Sequence, residues 1–172
     1  YANTAVPTPS VSYTYDANYN RMTAMRDGTG ETRYNYHAVT GSAVPGAGKL
    51  ASVDGPLPND TISYDYDELG RRAAMASAGA ASQKTIDAAG RITGVANALG
   101  AFTFDYDGAS QRMQKASYPN GQESTFEYED QIKDKQGKRI THTDSAATVY
   151  SEHRYEHDVQ KGQMKAWSQR AG

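Results

Sequence analysis

The chain has 172 residues, a formal net charge of −2 and no cysteine. One domain is the expectation for that length, which is enough for a sizeable core, and the balanced charge leaves no basic footprint for nucleic acid. Disulfides and thiolate metal sites are excluded, as is any apolar run of roughly 18 residues that would read as a membrane helix.

Residues 1–12, with Pro7 and Pro9, read as an extended lead-in. The first recurring motif follows: Tyr13-Thr14-Tyr15-Asp16, then Arg21-Met22, with Met25 three residues further on and a turn at Gly28-Thr29-Gly30. Tyr34 and Tyr36 begin a second unit, interrupted by a loop-rich insertion over 40–60 that holds Gly41, Pro45, Gly46, Gly48, Pro56 and Pro58. Its return segment is Lys49-Leu50 with Val53. The third unit is Tyr64-Asp65-Tyr66-Asp67 with Gly70 and Arg71. The Ala-rich stretch 73–82 has helical propensity, but Gly79 and the phase of the repeat favour strand and loop. Ile86-Asp87, Gly90 and Arg91-Ile92 with Val95 form the fourth, closed by a turn at Leu99-Gly100. Phe104-Asp105-Tyr106-Asp107 with Arg112-Met113 is the fifth, and Pro119-Asn120-Gly121 is a hairpin-turn signal after it. The sixth unit starts with Phe126 and Tyr128 and runs into a polar insertion, 130–147, around Lys133, Lys135 and Lys138. Its return is read at Arg139-Ile140. Tyr155, His157 and Asp158 with Gln163-Met164 and Trp167 complete a seventh.

The second motif slot of each unit, held by Ile86 in the fourth and His157 in the seventh and by tyrosine elsewhere, recurs at steps of 21, 30, 20, 20, 22 and 29 residues, which marks a repeat architecture over 13–170. Aromatics at i and i+2 share one face of a strand. Asp bonds its own backbone in turns, and Gly supplies the turn geometry. Each unit therefore predicts one β-hairpin. Apolar residues three apart, such as Met22 and Met25, fall on opposite faces of a regular strand; a bulge or a sharp twist between them would reconcile the spacing. Leu, Ile, Val and Phe make up only 20 of 172 residues, but 13 tyrosines supply the missing apolar area. The expected fold is all-β: repeated antiparallel hairpins in a twisted, solenoid-like sheet with one moderately apolar face. Stability would come from nearest-neighbour strand pairing.

The motif Tyr-x-Tyr-Asp-x-x-Gly-Arg, recurring in phase over about 13 to 167, resembles the YD repeat of RHS proteins. These comprise the bacterial Rhs polymorphic toxins, the B and C subunits of Tc toxin complexes, and teneurins. The resemblance implies a section of a β-shell that encloses a C-terminal toxin domain for delivery. The implied partners are the remainder of the shell and the enclosed toxin, in a secreted or translocated bacterial protein. The family's shell ends in a core region with an Asp-Pro signature and a self-cleaving aspartate pair; no Asp-Pro dipeptide occurs here, so self-cleavage is not assigned. The chain opens at Tyr1 without an initiating Met or a signal peptide and is expected to be a piece of a longer protein. Exposed sheet edges predict self-association or a second chain completing the sheet.

No residue is expected to be catalytic, to bind a cofactor or to hold a metal. Asp65/Asp67 and Asp105/Asp107 have the separation of glycosidase carboxylates. Yet the second Asp recurs in many units, as a structural position does and an active site does not. His153 and His157 are spaced for one side of a strand, but His157 fills a motif tyrosine slot. Gly46-Ala47-Gly48-Lys49-Leu50 lacks the first glycine and the Ser/Thr of a phosphate loop. The residues expected to matter are structural. Tyr13, Tyr15, Tyr34, Tyr36, Tyr64, Tyr66, Phe104, Tyr106, Phe126, Tyr128 and Tyr155 would pack the sheet face. Asp16, Asp67, Asp87 and Asp107 with Arg21, Arg71, Arg91 and Arg112, and Gly70 and Gly90, would build the turns. Asp–Arg separations of four and five residues argue against one uniform ion pair. The alternative function is a carbohydrate- or cell-surface-binding module that stacks sugars on exposed tyrosines and Trp167.

Overall fold

A computed structural model describes residues 9–130, 135–158 and 160–171. The lead-in prolines up to Pro7, and Lys133 of the polar insertion, lie outside the described residues. The described chain holds no helix; its strands hydrogen-bond in chain order as one open antiparallel sheet. Two units divide it, residues 1–83 and 84–172. The first contains β1 (Ser12–Tyr15), β2 (Met22–Asp27), β3 (Gly30–Tyr36), β4 (Leu50–Asp54), β5 (Ile62–Tyr66), β6 (Arg72–Ser77) and the start of β7 (Ala80–Ile86). The second continues with β8 (Ile92–Asn97), β9 (Gly100–Tyr106), β10 (Met113–Ser117), β11 (Glu123–Tyr128), β12 (Gly137–Thr143), β13 (Val149–His157) and β14 (Met164–Ala171).

The Ala-rich stretch is strand, turn and strand, with Ala78 and Gly79 at φ of 50° and 81° in the turn between β6 and β7. Within the polar insertion, 137–143 is strand β12. Its register corrects the sequence alignment of that unit. Gly137, not Ile140, lies opposite Tyr128, and Ile140 lies opposite Phe126. Gln136 thus takes the place read for Arg139, and its carbonyl accepts from the Glu129 amide as the Arg carbonyl does in other units. Arg139 instead projects to the polar face, opposite Glu127 and Arg154 and paired with Glu127.

A bulge resolves the three-residue spacing. Tyr13 lies opposite Met25, but Tyr15 lies opposite Met22, so one extra residue enters β2. The same shift sets Tyr34 and Tyr36 against Val53 and Leu50, and Tyr64 and Tyr66 against Met75 and Arg72. It sets Phe104 and Tyr106 against Ala116 and Met113, and Tyr155 and His157 against Trp167 and Met164. Directly opposite residues point to the same face, so the bulge puts residues three apart on the aromatic side.

Among the described residues, contacts between strands join sequence neighbours, and no second layer forms within either unit. Only Gly46, Ala116 and Ser124 are buried among the described residues. Strands such as β5 and β9 alternate half-buried and exposed positions, with Tyr64 and Tyr66 half-buried and Asp65 exposed. The apolar face is covered by rings lying over their neighbours rather than by a packed interior, as the scarcity of aliphatic residues predicts.

Candidate functional site

The recurring hairpin end is built by the motif residues. In the third and fourth motifs the Asp67 and Asp87 amides donate to the carbonyls of Arg71 and Arg91, and Gly70 and Gly90 turn the chain at φ of 71° and 82°. One carboxylate oxygen of each Asp accepts the amide of that Arg; the other takes its Nε, at 2.6 Å for Asp67 and 2.7 Å for Asp87. Asp16 reaches Arg21 at 2.9 Å across a turn one residue longer, with Tyr19 where the glycine stands elsewhere. The ion pair therefore forms at both separations, because the longer turn adds its residue in the loop and keeps the two ends together; it is not one uniform pair, since Gln163 stands in the arginine's place in the seventh motif. In the fifth motif the Asp107 carboxylate takes Lys135 Nζ at 3.2 Å, and the Asp107 amide bonds the Arg112 carbonyl. The Arg91 amide and then its guanidinium hold the Asp87 carboxyl below its ordinary range. The Asn18 amide does the same for Asp16, with Arg21 adding to it.

Arg21 and Arg91 then reach the next hairpin. The Arg21 guanidinium lies 4.3 Å over the Tyr36 ring and donates to the Gly48 carbonyl. Arg91 lies 4.6 Å over Tyr106 and donates to the carbonyls of Gly108 and Ser110. Lys49 fills the same role over Tyr66. The second tyrosine of each such hairpin completes the seam with its hydroxyl. Tyr36 donates to Met22 O at 2.7 Å, Tyr66 to Leu50 O at 3.0 Å, Tyr106 to Ile92 O at 2.7 Å and Tyr128 to Met113 O at 2.6 Å. The acceptor is each time the first residue of the preceding return strand, and for Met22, Leu50 and Met113 the register places the bulge there. Partial burial pushes the Tyr128 phenol above its ordinary range.

At the opposite hairpin end, glycine allows close approach of a proline. A Cβ on Gly30 would lie 2.6 Å from Pro56, and one on Gly100 would lie 2.5 Å from Pro119. Sequence reasoning placed these turns but missed the Gly–Pro contacts and the hydroxyl acceptors, which join residues 14 to 26 positions apart.

Tyr13, Tyr15, Tyr34, Tyr64, Phe104, Phe126 and Tyr155 all lie on strands of the aromatic side. Tyr13 and Tyr15, on the first strand, remain 54% and 61% exposed. Asp67 is committed to Arg71, and Asp65 stands alone on the exposed side. The ring of His153 packs edge-on against His142, and among the described residues no group of three His, Asp or Glu could hold a metal ion. One aromatic cavity of about 490 Å³ opens over Ser124, walled by Phe102, Tyr118, His142 and Tyr150. Tyr118 Oη, Ser124 Oγ and His142 Nδ1 form a hydrogen-bonded chain across its floor.

Residues 87–123 match the RHS repeat family. This stretch contains β8 to β10, the Asp87 and Asp107 turns and the Gly100–Pro119 contact. No curated protein matches the chain in sequence. Among solved structures it is similar to the crystal structure of TcdB2-TccC3-TEV, at a TM-score of 0.68 and 16% identity, over 94% of this chain and 9% of that one. It is also similar to the Photorhabdus luminescens Tc holotoxin pore with mutated TccC3, at a TM-score of 0.55 and 14% identity, over 90% of this chain and 10% of that one. At such identities the likeness is one of fold, and the chain spans about a tenth of the length of either. Residues 87–123 thus match an RHS repeat, and the chain has the open antiparallel sheet fold found within these Tc toxin structures.

Proposed function

We propose that the chain is a non-catalytic wall section of a β-shell that encloses a toxin domain and keeps it from the producing cell's targets until delivery. Its partners would be the remainder of the shell and the enclosed domain, in a secreted or translocated bacterial protein. The observation that carries this reading is the recurrence of one seam. The same tyrosine hydroxyl, backbone carbonyl and overlying cation join successive hairpins, and the motif's charged groups are spent on those contacts. A repeat that commits its chemistry to its own neighbours extends a surface. Protease protection tests it in the polypeptide that carries this segment. The enclosed domain should resist digestion until the wall is opened by denaturant, and equal digestion of closed and opened forms would contradict the reading.

A second reading rests on the cavity over Ser124. Its aromatic walls and the Tyr118–Ser124–His142 chain suit a sugar ring, which presents apolar C–H faces and hydroxyls together. Glycan binding lost on Tyr150→Ala would favour a carbohydrate-binding module; an absence of glycan binding would leave the wall.

A further inference from the structure

One imidazole sets the polarity of the floor of the cavity over Ser124. Ser124 is 2% exposed and stands on β11, opposite Ala116 of β10 and His142 of β12. Its Oγ lies 2.8 Å from His142 Nδ1 and 3.2 Å from Tyr118 Oη. Such a row can order its protons in two ways. In one, Tyr118 donates to Ser124, Ser124 donates to a bare Nδ1, and Tyr118 offers the cavity only a lone pair. In the other, Nδ1–H donates to Ser124, Ser124 donates to Tyr118, and the phenolic proton is left for a ligand. A neutral imidazole permits both orders. An imidazolium carries a proton on each nitrogen and permits only the second. Protonation of His142 therefore turns the floor into a donor and sets a positive charge beside it.

Among the described residues of β11 to β14, no carboxylate stands on this face to neutralise that charge. The titratable groups that face His142 are Tyr118, reached through Ser124, Tyr150, and His153, whose ring stands edge-on at 6.0 Å between centroids. Strand alternation puts the carboxylates on the opposite face, where Glu123 pairs with Lys115, Glu127 with Arg139 and Glu152 with Arg154. Asp144, in the turn after β12, accepts the amides of Ala146 and Thr148. A phenolic donor beside an unbalanced imidazolium suits a carboxylate. We propose that the cavity takes a sugar acid, a hexuronate, and binds it more tightly as His142 protonates. The rings of Phe102 and Tyr150 meet the C–H face of the sugar, and its carboxylate accepts the Tyr118 hydroxyl. This rests on the sugar reading of the cavity and adds to it the charge of the ligand and the residue that selects that charge.

Glucuronate and glucose are the probes, titrated into the isotope-labelled chain while the amide resonances of Ser124 and His142 are followed. The titrations run at about pH 7.5 and about pH 5.5, on either side of the range in which histidine changes charge. Glucuronate keeps its carboxylate ionised at both. Its affinity should rise at least about fivefold at the lower pH, while that of glucose stays within about twofold. His142→Gln keeps a hydrogen-bonding side chain that does not titrate and should abolish the rise; His153→Gln should retain it. Tyr118→Phe should weaken glucuronate at the lower pH, and it decides the matter if His142→Gln loses the circular dichroism of the sheet. Glucuronate and glucose binding alike at both pH values would overturn the sugar-acid proposal and leave the sugar site standing. Binding of neither would overturn both. A rise that survives His142→Gln, or glucuronate binding undiminished by Tyr118→Phe, would overturn the role given to the Tyr118–Ser124–His142 row.

Discussion

The Tyr106 hydroxyl donates to the Ile92 carbonyl at 2.7 Å, and the Arg91 guanidinium, held by Asp87, lies over the same ring. One aromatic side chain thereby meets three needs of a thin sheet. Its ring covers the apolar face, its hydroxyl satisfies a carbonyl of the neighbouring hairpin, and its π face receives a cation that the preceding turn has positioned. A packed interior is unnecessary where each hairpin closes on the next in this way.

The turn aspartates make stability sensitive to acid. Asp87 titrates below its ordinary value of 3.8 because the Arg91 amide and guanidinium bind its charged form, and Asp16 does so through Asn18 and Arg21. A depressed folded-state pKa contributes stability that is fully present above the unfolded value and is lost as pH falls through the folded one. Thermal unfolding followed by circular dichroism should therefore be nearly flat from about pH 7 to about pH 5 and fall steeply below about pH 4. Asp87→Asn should lower stability at neutral pH and shallow the acid limb; an unchanged limb would contradict the assignment.

Ala147 occupies, at φ of 62°, the turn position held by Gly121 in the preceding turn and by Gly70 and Gly90 elsewhere. A side chain there costs about 1–2 kcal/mol. Ala147→Gly should raise unfolding stability by about 1 kcal/mol, offset in part by the greater freedom of glycine in the unfolded chain. Urea denaturation measures it.

Gly100→Ala and Gly79→Ala separate backbone strain from crowding. Both residues have positive φ, at 119° and 81°. A Cβ at Gly79 meets nothing within 4 Å, whereas one at Gly100 falls 2.5 Å from Pro119. Gly79→Ala should cost about 1–2 kcal/mol, and Gly100→Ala about 1–3 kcal/mol more for the displaced proline. Equal losses in urea melts would show that Pro119 gives way freely.

The hairpins were legible because the motif sets a period-2 aromatic pair beside turn residues, a local pattern in Tyr64–Gly70 that needs no tertiary information. The three-residue spacing of Met22 and Met25 already held the bulge, but only the register against Tyr15 and Tyr13 showed which residue was extra. The sixth unit was misaligned because Arg139-Ile140 imitates Arg21-Met22 in composition. Local residue types cannot distinguish the carbonyl that closes the turn, which belongs to Gln136. The cavity over Ser124 was invisible for a different reason. Its lining comes from β9, β11, β12, β13 and the turn between β10 and β11, a relation that exists only after pairing.

The claim that successive hairpins are joined through tyrosine hydroxyls is tested most directly by a Tyr→Phe series. Tyr36, Tyr66, Tyr106 and Tyr128 donate to backbone carbonyls, whereas Tyr34 and Tyr64 make no hydroxyl bond among the described residues. Each of the first four changes should cost about 1 kcal/mol in urea denaturation. Tyr34→Phe and Tyr64→Phe should stay within about 0.5 kcal/mol of the unaltered chain. Equal effects in the two groups would contradict the seam.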